Sequence, residues 1–251
     1  LWALGVGWVG LTIGAVTAVL CAIFRFPGHG ILHWALLLPL AVPTYATAFS
    51  YAGLCEFSGP IQTLLREIFG WSKDNYWFPE VRSIGGAVFV MAFVLYPYVY
   101  LLARSAFLEQ STNILEASRV LGRGPWRTFF TISLQSARPA ISVGLALALM
   151  DTLNAYGTVD FFAVPTMTAG IIDIWLGMGS LSGGSQVASL MLLFVVLLIS
   201  VEHFSRRRRR YYQQTASRFR PLPSYQLSGT RALLAILTCG VPVLVGFILP
   251  T

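Results

Sequence analysis

Six stretches of this sequence are each about 20 residues long and almost wholly apolar, and segments of that length and composition have few ways to fold. They cover residues 1–24, 31–54, 84–103, 139–159, 186–204 and 232–250. A bilayer core is about 30 Å thick, which about 20 residues cross as a helix. Inside lipid every backbone N–H and C=O must find its partner within the segment, which excludes irregular chain and open strands. Of 251 residues 56% are hydrophobic and 11% charged, whereas water-facing domains carry about 25% charged residues. The expected fold is therefore all-α, a polytopic bundle of about six transmembrane helices in a lipid bilayer.

The net charge of +7 would suit nucleic acid if the basic residues formed one patch, but they flank the apolar stretches, and membrane topology accounts for them better. Cys21, Cys55 and Cys239 are far apart and form no metal-binding or disulfide pattern. His29, His33 and His203 lack ligand spacing. Neither a metal site nor a catalytic constellation is expected. The chain cannot bind ATP through a phosphate-cradling loop: that motif needs Gly-Lys-Ser/Thr, and the one lysine, Lys73, precedes Asp74.

Arg and Lys accumulate on the cytoplasmic flanks of membrane helices. If the six spans alternate, Arg25, five arginines between 104 and 138 and eight between 206 and 231 fall on one side, leaving Arg66, Lys73 and Arg82 on the other. Residue 1 then lies outside, and if the full chain begins in the cytoplasm an odd number of spans is expected to precede it. The run Arg206 to Arg210 is expected to anchor on anionic lipid, and residues 206–230 form a basic cytoplasmic linker with Pro221, Pro223 and Ser224. On the outer side, Gly59 and Pro60 suit a helix start, and Ile61, Leu64, Leu65, Ile68 and Phe69 recur at helical spacing. That amphipathic helix, followed by Trp71, Tyr76, Trp77 and Phe78, suits the membrane-water boundary.

The cytoplasmic loop 109–138 has the most local structure. Asn113 can cap a short helix with Glu116 three residues on in a capping box, and Gly122 suits the left-handed position that ends it. Gly124 and Pro125 start a second short helix. Ile114, Leu115, Ala117, Val120 and Leu121 give the resulting knob an apolar face that needs covering, with Arg119, Arg123 and Arg127 at its rim.

The spacing of Glu116-Ala117, Gly122 and Ile132-x-Leu134 resembles the EAA loop of binding-protein-dependent ABC importer permeases. Ser118 stands where that family usually has Ala, and Gln135 where it usually has Pro, a loss expected to loosen the start of the fourth span. Further runs, Phe26-Pro27-Gly28, residues 77–83, residues 96–104 and residues 156–162, resemble iron(III) importer permeases, which are similar to two permease halves in one chain. The resemblance implies that residues 1–205 form the first permease half, that 231–251 begin the second, and that Glu116, Ala117, Gly122, Ile132 and Leu134 seat a coupling helix on a pair of ABC ATPase subunits, which bind ATP and Mg. It also implies a periplasmic substrate-binding protein as partner, a bacterial inner membrane location, and alternating access driven from the ATPase. Thiamine, phosphonate and polyamine importers share the EAA loop and remain alternative cargo classes. An ion-coupled secondary transporter and a non-transporting scaffold are the rivals from other classes.

Within the spans, Asp151 is an intramembrane acid and should face the bundle interior or a watery path. Asn154 lies one turn on, and Tyr156 and Asp160 follow; these four are the candidate path residues. Asp173 is a further outer acid. Pro39, Pro43 and Pro97 free backbone carbonyls and should face protein or a cavity. Tyr96, Tyr98 and Tyr100 alternate around a helix rather than sharing a face, which argues against metal ligation.

Overall fold

The computed structural model describes residues 2–70, 78–110, 116, 118, 120–207 and 225–251, with the backbone alone at 125, 198 and 201–207. In chain order the elements are α1 (Trp2–Ile23), a short strand β1 (Phe24–Arg25), α2 (His29–Ala35), a 3-10 turn (Leu38–Ala41), α3 (Thr44–Cys55), α4 (Pro60–Phe69) and α5 (Ile84–Leu108). Then come α6 (Pro125–Thr128), a π turn (Phe129–Ser133), α7 (Leu134–Asn154), α8 (Tyr156–Phe161), α9 (Met167–Ile172), a π turn (Asp173–Gly177) and α10 (Leu181–Arg207). Strand β2 (Tyr225–Gln226) precedes α11 (Thr230–Val243), which ends in a third π turn (Leu244–Ile248).

Among the described residues four helices are long and apolar enough to cross a membrane: Trp2–Ile23, Ile84–Leu108, Trp126–Asn154 and Thr230–Ile248. The expected second span is not one helix. His29–Ala41 and Thr44–Phe69 meet at 93° and together make a broken span or a re-entrant loop. Proline explains the break. Pro39 sits at the first turn of the 3-10 segment and Pro43, with ψ of 136°, precedes α3, so neither can donate the N–H that would carry a helix through. The expected fifth span lies inside the 27-residue α10. The expected fourth span starts earlier than its sequence range, because helix continues from Trp126 to Asn154. Among the described residues four spans and one bent pair are apolar and long enough to cross a membrane, in keeping with the all-α membrane bundle expected.

Small residues let α1, α5 and α7 pack with their backbones nearly touching. A Cβ on Gly14 would lie 2.8 Å from the Tyr96 carbonyl oxygen, and one on Gly144 would lie 2.7 Å from the Val99 Cα. Close approach of this kind replaces the hydrophobic effect, which has little force between helices in lipid. The buried threonine hydroxyls of α1 and α7 are satisfied within their own helices: Thr17 donates to the Ile13 carbonyl at 2.7 Å and Thr152 to that of Ala148 at 2.6 Å. Pro97 lies buried within α5, as do Tyr96 and Tyr100.

The two ends of this bundle are tied differently. At the end where α1 finishes and α7 begins, β1 pairs in parallel with β2, Phe24 opposite Tyr225 and Arg25 opposite Gln226. At the other end α4 begins on Pro60, as its sequence implies, and stops at Gly70 (φ 62°). Gln62 of α4 is buried and donates to the Cys55 carbonyl at 2.7 Å, while Leu64 and Ile68 remain exposed.

Candidate functional site

The loop joining α5 to α7 is built on a glycine turn. Gly122 has φ of 75°, and the Arg123 N–H donates to the Ser118 carbonyl at 3.1 Å. This six-to-one bond around a left-handed residue is a Schellman turn, so the helix end expected at Gly122 is present. The capping pair proposed at Asn113, and the positions of Ile114, Leu115, Ala117 and Arg119, lie outside the described residues. Glu116 is exposed.

Downstream of the turn the structure departs from two separate short helices. Pro125 starts α6, which continues through the π turn into α7, so Ile132 falls in the π turn and Leu134 at the head of a long helix. Gln135 accounts for this: unlike the proline usual there, it keeps the N–H a continuing helix needs. The expected loosening at this point is instead an uninterrupted helix with one wide turn. The π turn has its own support, since Gln110 at the end of α5 donates through Nε2 to the Ser133 carbonyl at 2.8 Å.

Ser118 does more than replace a small residue. It is buried, and its Oγ lies 2.7 Å from the Thr128 hydroxyl, also buried, which clasps the two arms of the loop together. The outer surface of the clasped loop is apolar: Val120 is 87% exposed, Leu121 79%, Trp126 75% and Phe130 56%. Trp126 and Phe130 are one helical turn apart and stack with ring centroids 6.4 Å apart.

At the opposite end, Asp151 and Asn154 occupy the last turn of α7. Asp151 is half-buried and close enough to Tyr98 of α5 for its charge to act on the phenol, while Asn154 is exposed. Tyr156 and Asp160 sit one turn apart on α8. Among the described residues no hydrogen bond joins these four side chains; they line successive turns rather than converge. Instead α8 leans on α3, with the Thr158 hydroxyl donating to that of Thr44 at 3.3 Å and Phe161 against Phe49 at 5.7 Å. Arg82 lies over the Phe161 ring at 5.1 Å. A cavity of about 350 Å³ beside it is lined by Glu56, Gln62, Glu80 and Arg82 among others.

Residues 10–210 match the family of binding-protein-dependent transport system inner membrane components. The chain belongs to this family. This permease is 30% identical over 181 residues to the molybdenum transport system permease protein of Escherichia coli, covering 71% of this chain and 76% of that one. It is 27% identical over 179 residues to the sulfate transport system permease protein of the same organism, 71% of this chain and 56% of that one. A probable sulfate permease of Chlorokybus atmophyticus is 30% identical over 150 residues, 60% of this chain and 50% of its own length. The permease thus spans about half the length of the sulfate permeases it matches. The iron(III) subfamily suggested by residues 26–28, 77–83, 96–104 and 156–162 has no support from these relatives.

Sequence reasoning missed the Ser118–Thr128 clasp, the Gln110 support and the exposed Trp126–Phe130 pair. Of these only the last had a signal, two aromatic residues four apart on the polar side of a membrane helix. Arg82 was counted as a topology charge and its place over Phe161 was not foreseen.

Proposed function

We propose that this permease is the membrane-spanning part of an ATP-driven importer and takes its drive through the loop around Glu116 and Gly122. The observation that carries the reading is the exposed apolar patch of Val120, Leu121, Trp126 and Phe130, held on a Schellman turn at the family's EAA spacing. Such a patch, rimmed by Arg123 and Arg127, suits a protein partner rather than water. The partner is a pair of ABC ATPase subunits carrying ATP and Mg, and a second partner is a soluble binding protein that delivers cargo outside. The lopsided arginine distribution supports placing this loop in the cytoplasm of a bacterial inner membrane. Residues 206–230 then act as a linker, and residues 231–251 open a second permease half. Closure of the ATPase pair would draw two such loops together and rock the spans between states open to either side. Asp151, Asn154, Tyr156 and Asp160 are proposed to border the path.

A tetrahedral oxyanion of the sulfate or molybdate type is the cargo best supported, from the names of the relatives. Iron(III) is the second reading and rests on the four sequence runs quoted above. Reconstituting the full-length permease with its ATPase and candidate binding proteins separates them, with ATP hydrolysis and uptake measured for each loaded carrier. Stimulation by a sulfate- or molybdate-loaded carrier is expected; stimulation by an iron-loaded carrier alone would reverse the assignment. Glu116→Ala should abolish carrier-stimulated uptake while leaving the permease inserted. Unchanged coupling in that variant would remove the loop from the mechanism.

A further inference from the structure

Where α1 gives way to β1, basic side chains gather, and none of them forms an ion pair with an acid among the described residues. His29 is buried, and its Nε2 lies 2.9 Å from the Cys21 carbonyl. A carbonyl can only accept, so the ring proton sits on Nε2, and Nδ1 accepts from the Arg25 guanidinium at 3.3 Å. His29 therefore aims Arg25 as a neutral ring. His33 stacks on His29 at 6.1 Å, and the Tyr100 hydroxyl donates to the His33 carbonyl at 3.2 Å, which pins α2 to α5. Arg104 lies one turn beyond Tyr100 on α5, so it belongs to the same end of the bundle as the pinned α2.

Arg104 is the anomaly. Its Nε is buried and has no hydrogen-bond partner, and neither Arg104 nor Arg25 forms an ion pair among the described residues. A buried guanidinium donor left unmatched calls for an acceptor. The fork of an arginine fits the paired oxygens of a tetrahedral oxyanion. The next feature narrows the source of that oxyanion. On α2, Ile31 and Trp34 are 78% and 67% exposed, and Trp is the residue that settles where headgroups meet hydrocarbon. Charge and apolar surface thus lie side by side at the end of a membrane bundle, which matches an amphiphile better than a free ion.

We propose that Arg25 and Arg104 form a defined site for the phosphate of an anionic phospholipid, whose acyl chains lie along Ile31 and Trp34. The site is separate from the coupling patch and the path residues, and it does not depend on which cargo the permease carries. It would fix the angle at which the broken span leaves α1, since α2 is the first part of that span.

The test uses the full-length permease purified from phosphatidylglycerol-containing membranes, with native mass spectrometry counting lipid retained through detergent exchange. Arg104→Gln and Arg25→Gln should each cut retained phosphatidylglycerol about fivefold, the attraction of one basic residue near a membrane surface. Arg138→Gln, an exposed arginine at the head of α7, should leave it unchanged. Trp34→Ser, a surface change that does not threaten folding, should also lower retention. Equal retention in all variants would overturn the site. So would an equal loss on neutralising residues 206–210, which would mean diffuse attraction. A third arm adds inorganic phosphate or sulfate to lipid-free protein. An Arg104-dependent rise in melting temperature there, with lipid retention unaltered by Arg104→Gln, would assign the pocket to a free oxyanion and overturn the lipid proposal.

Discussion

A single hydroxyl pair sets the shape of the candidate coupling loop. With Ser118 and Thr128 both buried and 2.7 Å apart, Ser118→Ala strands the Thr128 hydroxyl and should destabilise the loop by about 1–3 kcal/mol, the cost of an unmet buried polar group. Adding Thr128→Val removes the stranded group and should restore most of that loss. Thermal melting of the two variants and the double variant in detergent checks this; equal, additive losses would mean that the clasp is not formed in solution. The glycines give a second test at this scale. Gly144→Ala places a methyl 2.7 Å from the Val99 Cα, backbone that cannot turn away, and overpacking of this kind costs about 1–3 kcal/mol. Gly122 was legible in the sequence because its role is local: a helix end needs φ above zero. Gly14 and Gly144 were not, since their role depends on which helices meet, and apolar periodicity is the same all round a lipid-facing helix.

The elements that sequence placed best are those whose limits are set by local chemistry. Pro60 and Gly70 bracket α4, and the apolar runs of α1 and α5 coincide with spans. The second span is bent rather than straight: 17 of the 24 residues in 31–54 are hydrophobic, but Pro39 and Pro43 each remove a donor within them. The helix limits at the loop differ in the opposite sense: the start expected at Pro125 is present, but no separate span begins at Pro139, which sits inside α7. Gln135 decides that continuity. Gln135→Pro should cost about 3 kcal/mol if the helix is continuous and should bend it at the π turn. Spin labels in place of Trp126 and Leu147, both exposed, read the outcome: about 30 Å along a continuous helix at 1.5 Å per residue, and a shorter, broader distribution in the variant. A wild-type distance already short and broad would mean that α6 and α7 are separate.

At the scale of the whole molecule, α11 lies beyond the 10–210 range that carries the family match, yet it packs into the bundle. Its Cys239 is buried in the same cluster as Cys21 and Tyr100. Its terminal π turn leaves the Val245 carbonyl free of the regular helix ladder, and the Tyr51 hydroxyl of α3 donates to it. Gly246 brings the helix against α5 and the broken span: a Cβ there would lie 2.3 Å from the Phe93 carbonyl oxygen and 3.0 Å from Pro39. A wide helical turn that both accepts from α3 and touches the proline break joins the last span to the broken second span, and π turns are enriched where helices serve function. Tyr51→Phe leaves the Val245 carbonyl unmet and should lower the melting temperature by about 2–4 °C for each kcal/mol lost. Gly246→Leu should have the larger effect, because backbone on α5 blocks it and the helix must back away. The deciding comparison is uptake against stability. If α11 only props the bundle, both variants should lose melting temperature and uptake in proportion. If it steadies the broken span during transport, Tyr51→Phe should slow uptake more than its small stability loss explains, with carrier-stimulated ATP hydrolysis retained.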